Sequence, residues 1–167
     1  ICHDAIRAND DLTRRTDDMR EVSRLEAEAL TIALTAMDVL VDKNDGTVSP
    51  ERQQAMGDSL QRLESKMSWL QETVDTPEEK DLARVIVGQI PTLGKALTAL
   101  QEAVRTRAGD ETFSDLDNLI DGSADVIITN LHTIADSFKA EQDTASTINK
   151  SMLAAWNSRT RLIAATA

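Results

Sequence analysis

Six polar side chains stand where helical apolar patterns break, and together they could hold a small anion. Arg107 falls on an apolar stripe after Val104, Ser123 on a second stripe, and Arg52 and Arg105 flank such positions, with Thr35 and Asp38 opposite on an earlier segment. An arginine guanidinium offers a planar fork of donors that matches a carboxylate in bidentate fashion, so the chemistry this set suits is carboxylate recognition. Bond-making chemistry lacks its parts. The two histidines, His3 and His132, lie too far apart along the chain for either to serve as a base within a Ser/His/Asp or Cys/His arrangement, and no paired-carboxylate constellation is supported. No enzyme activity, no cofactor and no metal centre are therefore expected.

Other motifs weigh less. Asp42-Lys43-Asn44-Asp45-Gly46 has the flavour of a calcium loop, but such a loop needs oxygen ligands at positions 1, 3 and 5 with glycine at 6; here glycine is fifth and Gln53 is twelfth, so the stretch reads as a turn. Cys2-His3 has the form of the end of a CxxCH haem attachment whose first cysteine would precede Ile1. His132 lies about 30 Å of helical rise from the start of its own helix and is not placed to complete the axial pair, so no haem is expected. Asp110, Glu111, Asp115, Asp117, Asp121 and Asp125 give the last segment an acidic start, which suits the positive end of a helix dipole.

The elements that must position these residues are helices. Aromatic residues make up 2% of the 167, tyrosine is absent, and six glycines and three prolines punctuate the chain, a composition that argues against sandwiches and barrels. Hydrophobic residues at 41% and charged ones at 28% exclude a disordered or a membrane-embedded chain. A net charge of −11 repels phosphates, so nucleic acid is excluded as a partner.

Periodicity predicts an all-α, up-down-up-down four-helix bundle as a single domain over residues 1–167, with helices at about 4–42, 50–74, 77–108 and 112–163. Met56, Leu60, Leu63, Met67, Leu70 and Val74 form one stripe, and Leu82, Ile86, Ile90, Leu93, Leu97, Leu100 and Val104 another. Ser49-Pro50 and Thr76-Pro77-Glu78-Glu79 are helix starts, each a cap residue before a first-turn proline. Pro91 within the third helix predicts a kink. The first and last helices, about 60 and 80 Å long, should extend past the shorter pair as a two-helix stalk with a thinner apolar seam.

The first helix is apolar on more than one side. From Ala29 to Val41 its polar residues, Thr31, Thr35 and Asp38, continue with Asp42 as one narrow stripe. The flank Ala29/Ala33/Ala36/Leu40 is expected to face the bundle core, and Leu30/Leu34/Met37/Val41 a second subunit. Trp156, Arg159 and Arg161 followed by Leu162 to Ala167 read as a chain approaching a bilayer. Without an initiator methionine or a signal peptide, the sequence is expected to be a segment of a longer protein.

The run Leu30 to Leu60, together with the bundle proportions, resembles the extracytoplasmic four-helix-bundle sensor domains of bacterial methyl-accepting chemotaxis proteins. The resemblance implies a periplasmic domain of an inner-membrane receptor, flanked by transmembrane helices, dimeric through its first helix, and signalling by a small displacement of its last helix when a small molecule binds at the membrane-distal end. It departs from the amino-acid receptors of that family, whose distal first helix carries arginines: Leu25 to Val41 has no basic residue. Two other readings fit the same pattern. One is the input domain of a sensor histidine kinase, the other a structural coiled-coil or adaptor bundle that senses nothing.

Overall fold

The computed structural model describes residues 2–164, with side chains over residues 13–152 and at Ala154. The Cys2-His3 pair and the stretch from Trp156 to Ala167 lie outside the described side chains. Four helices account for the chain: α1 (Cys2–Val41), α2 (Pro50–Thr73), α3 (Pro77–Thr106) and α4 (Asp110–Ala164), with a short 3₁₀ turn at Lys43–Asp45. No strand occurs among the described residues, and none of their helices is long and apolar enough to cross a membrane.

Helix starts are set by local chemistry. At α2 the Ser49 hydroxyl accepts from the Arg52 N–H at 3.4 Å and Pro50 occupies the first turn, where a missing N–H costs nothing. At α3 Thr76 and Glu79 form a reciprocal capping box, Thr76 accepting from the Glu79 N–H at 3.2 Å while the Glu79 carboxylate takes the Asp75 and Thr76 N–H groups. The chain passes through Pro91 without leaving the helix.

Two compact units divide the chain. The larger, Val22–Ile134, is a bundle to which α1 gives the buried line Val22, Leu25, Ala29, Ile32, Ala36 and Val39. This line is turned slightly from the expected flank: Ile32 and Val39 are buried, while Ala33 and Leu40 are half-buried. Met56, Leu63 and Leu70 of α2, Ile86, Leu93 and Leu100 of α3, and Ile120, Ile127 and Leu131 of α4 meet it, all essentially inaccessible. Burying each such side chain is worth about 1.5–3 kcal/mol. Gly94 of α3 lies against α2, where an added Cβ would stand 3.2 Å from Leu60 Cδ2.

The smaller unit comprises the described parts of Ile1–Glu21 and Ala135–Ala167. Phe138 is its fully buried anchor, with the Arg15 guanidinium 4.5 Å above the ring and paired to Glu141 at 2.7 Å. Around it the packing turns polar: Gln142 Nε2 donates to the Thr16 hydroxyl at 2.7 Å.

The other apolar flank of α1 is uncovered. Leu30, Leu34, Met37 and Val41 are 49, 53, 49 and 74% exposed.

Candidate functional site

The turn between α1 and α2 is tied down by charge pairs. Arg52 Nη1 holds Asp42 Oδ2 at 2.7 Å, and Lys43 Nζ reaches Asp110, the first residue of α4, at 2.6 Å while standing 5.0 Å from the centre of the Phe113 ring. The hydrogen bond from Lys43, and then its charge, hold the Asp110 carboxyl below the usual carboxylate range. Gly46 closes the turn at φ 72°, a left-handed conformation that glycine adopts without steric cost.

At the end of α3 the Arg107 N–H donates to Val104 O at 3.2 Å and the Ala108 N–H to Ala103 O at 2.9 Å, the two bonds of a Schellman closure. The residue in the left-handed position is not glycine but Arg107, at φ 52° and ψ 53°. A side chain there costs about 1 kcal/mol or more against glycine. Its guanidinium lies over Gly46, Nε being 3.2 Å from where a Cβ on that glycine would stand. Among the described residues no carboxylate pairs with Arg107.

Beside this contact opens a cavity of about 450 Å³, bounded by the Gly46–Val48 turn and Gln53 on one side and by Thr98, Gln101, Glu102 and Arg105 of α3 on the other. Arg105 meets Glu102 in bidentate fashion, Nε to Oε2 at 2.8 Å and Nη2 to Oε1 at 2.5 Å. That hydrogen bonding from Arg105 lowers the Glu102 carboxyl. Gln53 Nε2 donates to Val48 O at 3.1 Å, whereas the Gln101 amide has no protein partner among the described residues.

Of the six residues singled out from sequence, Arg105 lines this cavity and Arg107 lies over Gly46 at its edge. Arg52 is half-buried and committed to Asp42. Thr35 is half-buried and Asp38 exposed along α1, while Ser123 is a buried residue of the α4 packed face; these three do not line the cavity. Thr98, Gln101 and Glu102 were not singled out from sequence. The spacing Glu102-x-x-Arg105 is the signal that could have found part of this wall, since side chains three apart on a helix meet.

No family model matches the chain, and no curated protein matches it. Solved structures do. One described as the periplasmic sensor domain of a sensor histidine kinase superposes with a TM-score of 0.69 at 24% identity, over 83% of this chain and 92% of that one. Another, described as the XylFII-LytSN complex, superposes with a TM-score of 0.66 at 10% identity, over 74% of this chain and 97% of that one. At these identities the likeness is one of fold, the four-helix bundle.

Proposed function

We propose that this chain is the extracytoplasmic input domain of a transmembrane signalling receptor, dimeric through α1 and free of catalysis, that binds a small carboxylate at the turn where α1 passes into α2. The observation that carries it is the uncovered stripe Leu30, Leu34, Met37 and Val41 on a bundle whose fold is shared with a periplasmic sensor domain. Its spacing of four, three and four is that of a coiled-coil seam, and the stripe itself holds no charge, so a second copy related by a two-fold axis meets it without like charges at its centre.

Arg107 supplies the anion contact, with Arg105 able to exchange Glu102 for a ligand carboxylate. Because Asp110 opens α4 shortly after Arg107, a ligand that draws Arg107 toward the Gly46 turn also displaces the start of α4. A ligand shifts such an equilibrium only by its difference in affinity for the two arrangements, and the unpaired guanidinium supplies that difference. A sensor histidine kinase as the receptor class is supported by the 24% identical neighbour. A chemotaxis transducer is the second reading, carried by the Leu30 to Leu60 run.

Sedimentation of the chain at micromolar concentration, combined with a thermal-shift series of small mono- and dicarboxylates, tests the proposal. A dimer whose melting temperature rises with one carboxylate class is expected; ligand at 100 times its Kd adds about 2.7 kcal/mol. A monomer that no carboxylate stabilises overturns it. Read-through of the coding sequence past Ala167 into a kinase or a methyl-accepting module then decides the output.

A further inference from the structure

Within Val22–Ile134 two charge pairs reach from α1 and its following turn to α4: Lys43 to Asp110 at 2.6 Å, and His132 Nδ1 to Glu26 Oε1 at 3.5 Å. The second is incomplete. Glu26 Oε1 is inaccessible to solvent and accepts no hydrogen bond, and 3.5 Å is long for one from His132. A buried carboxylate oxygen in this state is costly, and the group placed to relieve it is an imidazole nitrogen, which carries a proton in one neutral tautomer and always in the charged ring. Glu28 is the contrast: Arg62 Nε of α2 donates to it at 2.7 Å, from a group that stays charged at every working pH.

Between the two pairs the seam is acidic on α4 and apolar on α1. Asp117, Asp121 and Asp125 follow Asp110 at i+7, i+11 and i+15, and His132 at i+22, so all lie along the side of α4 that reaches α1. Leu30, Met37 and Val41 follow Glu26 at i+4, i+11 and i+15, so the side of α1 that meets His132 runs on as the uncovered stripe. Leu25 to Val41 has no basic residue, and among the described residues none of the three aspartates has an ion pair. Of the other charges near the seam, Asp42 is held by Arg52 of α2, and Asp136 follows His132 by one turn of α4. Burial, and then Asp117, raise the Asp121 carboxyl.

We propose that this seam is an acid-responsive contact between α1 and α4, which strengthens as pH falls from neutrality because His132 becomes charged beside Glu26 and the aspartate row loses charge. Both changes act in one direction. A histidine ordinarily gains its second proton near about pH 6.5, above the carboxylate range, so a carboxylate partner is still ionised when the imidazole becomes its counter-charge. At lower pH, protonation removes the repulsion between carboxylates one turn apart along α4, beginning with Asp121. A group that holds its proton to higher pH in the folded chain than in the unfolded one adds stability on the acid side. The Lys43–Asp110 pair answers differently, since hydrogen bonding from Lys43 lowers the Asp110 carboxyl and keeps that end of the seam paired. α4 carries the ligand-driven displacement proposed for the receptor, but the acid response requires neither ligand nor dimer.

Urea unfolding of the 167-residue chain, of Glu26→Gln, of His132→Gln and of the double variant tests the pair, at about pH 5.5 and about pH 8 and one protein concentration. The cycle cancels every titration the two side chains do not share. A coupling of about threefold in the unfolding equilibrium constant is expected at the lower pH and none above error at the higher, as for a partly exposed pair. The row is tested by replacing Asp117, Asp121 and Asp125 with asparagine together. That variant should be more stable than the unaltered chain near about pH 8, and its advantage should shrink by about half or more at about pH 4.5. All five side chains are exposed or half-buried, and far-UV circular dichroism checks that each variant folds. A Glu26–His132 coupling equal at both pH values overturns the proposal. So does a triple variant with no advantage near about pH 8, or with one as large at the acid end.

Discussion

The guanidinium of Arg107 rests on Gly46, its Nε 3.2 Å from the point a Cβ would occupy, and both residues are in the left-handed region at φ 52° and 72°. Glycine takes that conformation freely and arginine does not. Backbone strain held at a point where a cation has no protein counter-charge is a feature of binding sites, in which the strained residue does something glycine cannot.

Arg107→Gly therefore separates fold from function. Relief of the left-handed strain should stabilise the chain by about 1 kcal/mol and raise its melting temperature by about 2–4 °C, while the carboxylate-induced shift disappears. Calorimetry with and without ligand reads both. A lower melting temperature would mean that packing against Gly46 outweighs the strain. Gly46→Ala acts in the opposite sense: it puts a methyl at positive φ and against Arg107, so it should destabilise by about 1 kcal/mol and weaken ligand binding together.

Leu34→Asp probes the uncovered face of α1. Leu34 is 53% exposed, so within one copy the change should move stability by no more than about 0.5 kcal/mol. At the centre of a two-fold interface it buries two like charges, and sedimentation equilibrium should report a monomer where the unaltered chain is a dimer. Unchanged association would remove α1 as the interface.

Where the sequence was legible, the signals were local. Pro50 and Pro77 open their helices behind Ser49 and Thr76 because a first-turn proline and a side-chain cap leave little choice. The apolar line from Leu30 to Val41 could be seen beside a packed one because helical geometry fixes which residues share a face. The end of α3 was harder. The left-handed closure falls on Arg107, a residue type that gives no such signal, since it is set by which carbonyls, Ala103 and Val104, take the last N–H groups.

Acid should act on two carboxyls in opposite senses. Burial raises the Glu28 carboxyl, but hydrogen bonds from Arg62 and the buried Ser59, with the Arg62 charge, outweigh it and leave a net lowering. A carboxyl lowered in the folded chain contributes its stability in full above the ordinary carboxylate range and loses it as pH falls through the folded value. Asp121 is raised, by burial first and by Asp117 second, so what it contributes is present at low pH and lost as pH rises through its folded value. Urea titrations between about pH 3 and 7 should show a shallower acid limb for Glu28→Gln. Asp121→Asn should gain stability near neutrality and none at the acid end. A parallel shift of either curve at every pH would assign the effect to packing.

Phe138→Ala tests whether the two compact units open separately. Phe138 is fully buried in the smaller unit and carries Arg15 over its ring, while the neighbouring Gln142 and Thr16 bond to each other and bury no apolar surface in its place. Truncation should cost about 3–5 kcal/mol locally. Ile127→Ala removes an equally inaccessible side chain from Val22–Ile134, where the packed faces of four helices meet. Because regions with fewer apolar contacts open at lower free energy, Phe138→Ala should speed hydrogen exchange within residues 13–21 and 135–152 and leave the amides around Leu63 and Leu100 protected. Ile127→Ala should speed exchange across the whole of Val22–Ile134. If Phe138→Ala accelerates both regions alike, the chain unfolds as one cooperative unit.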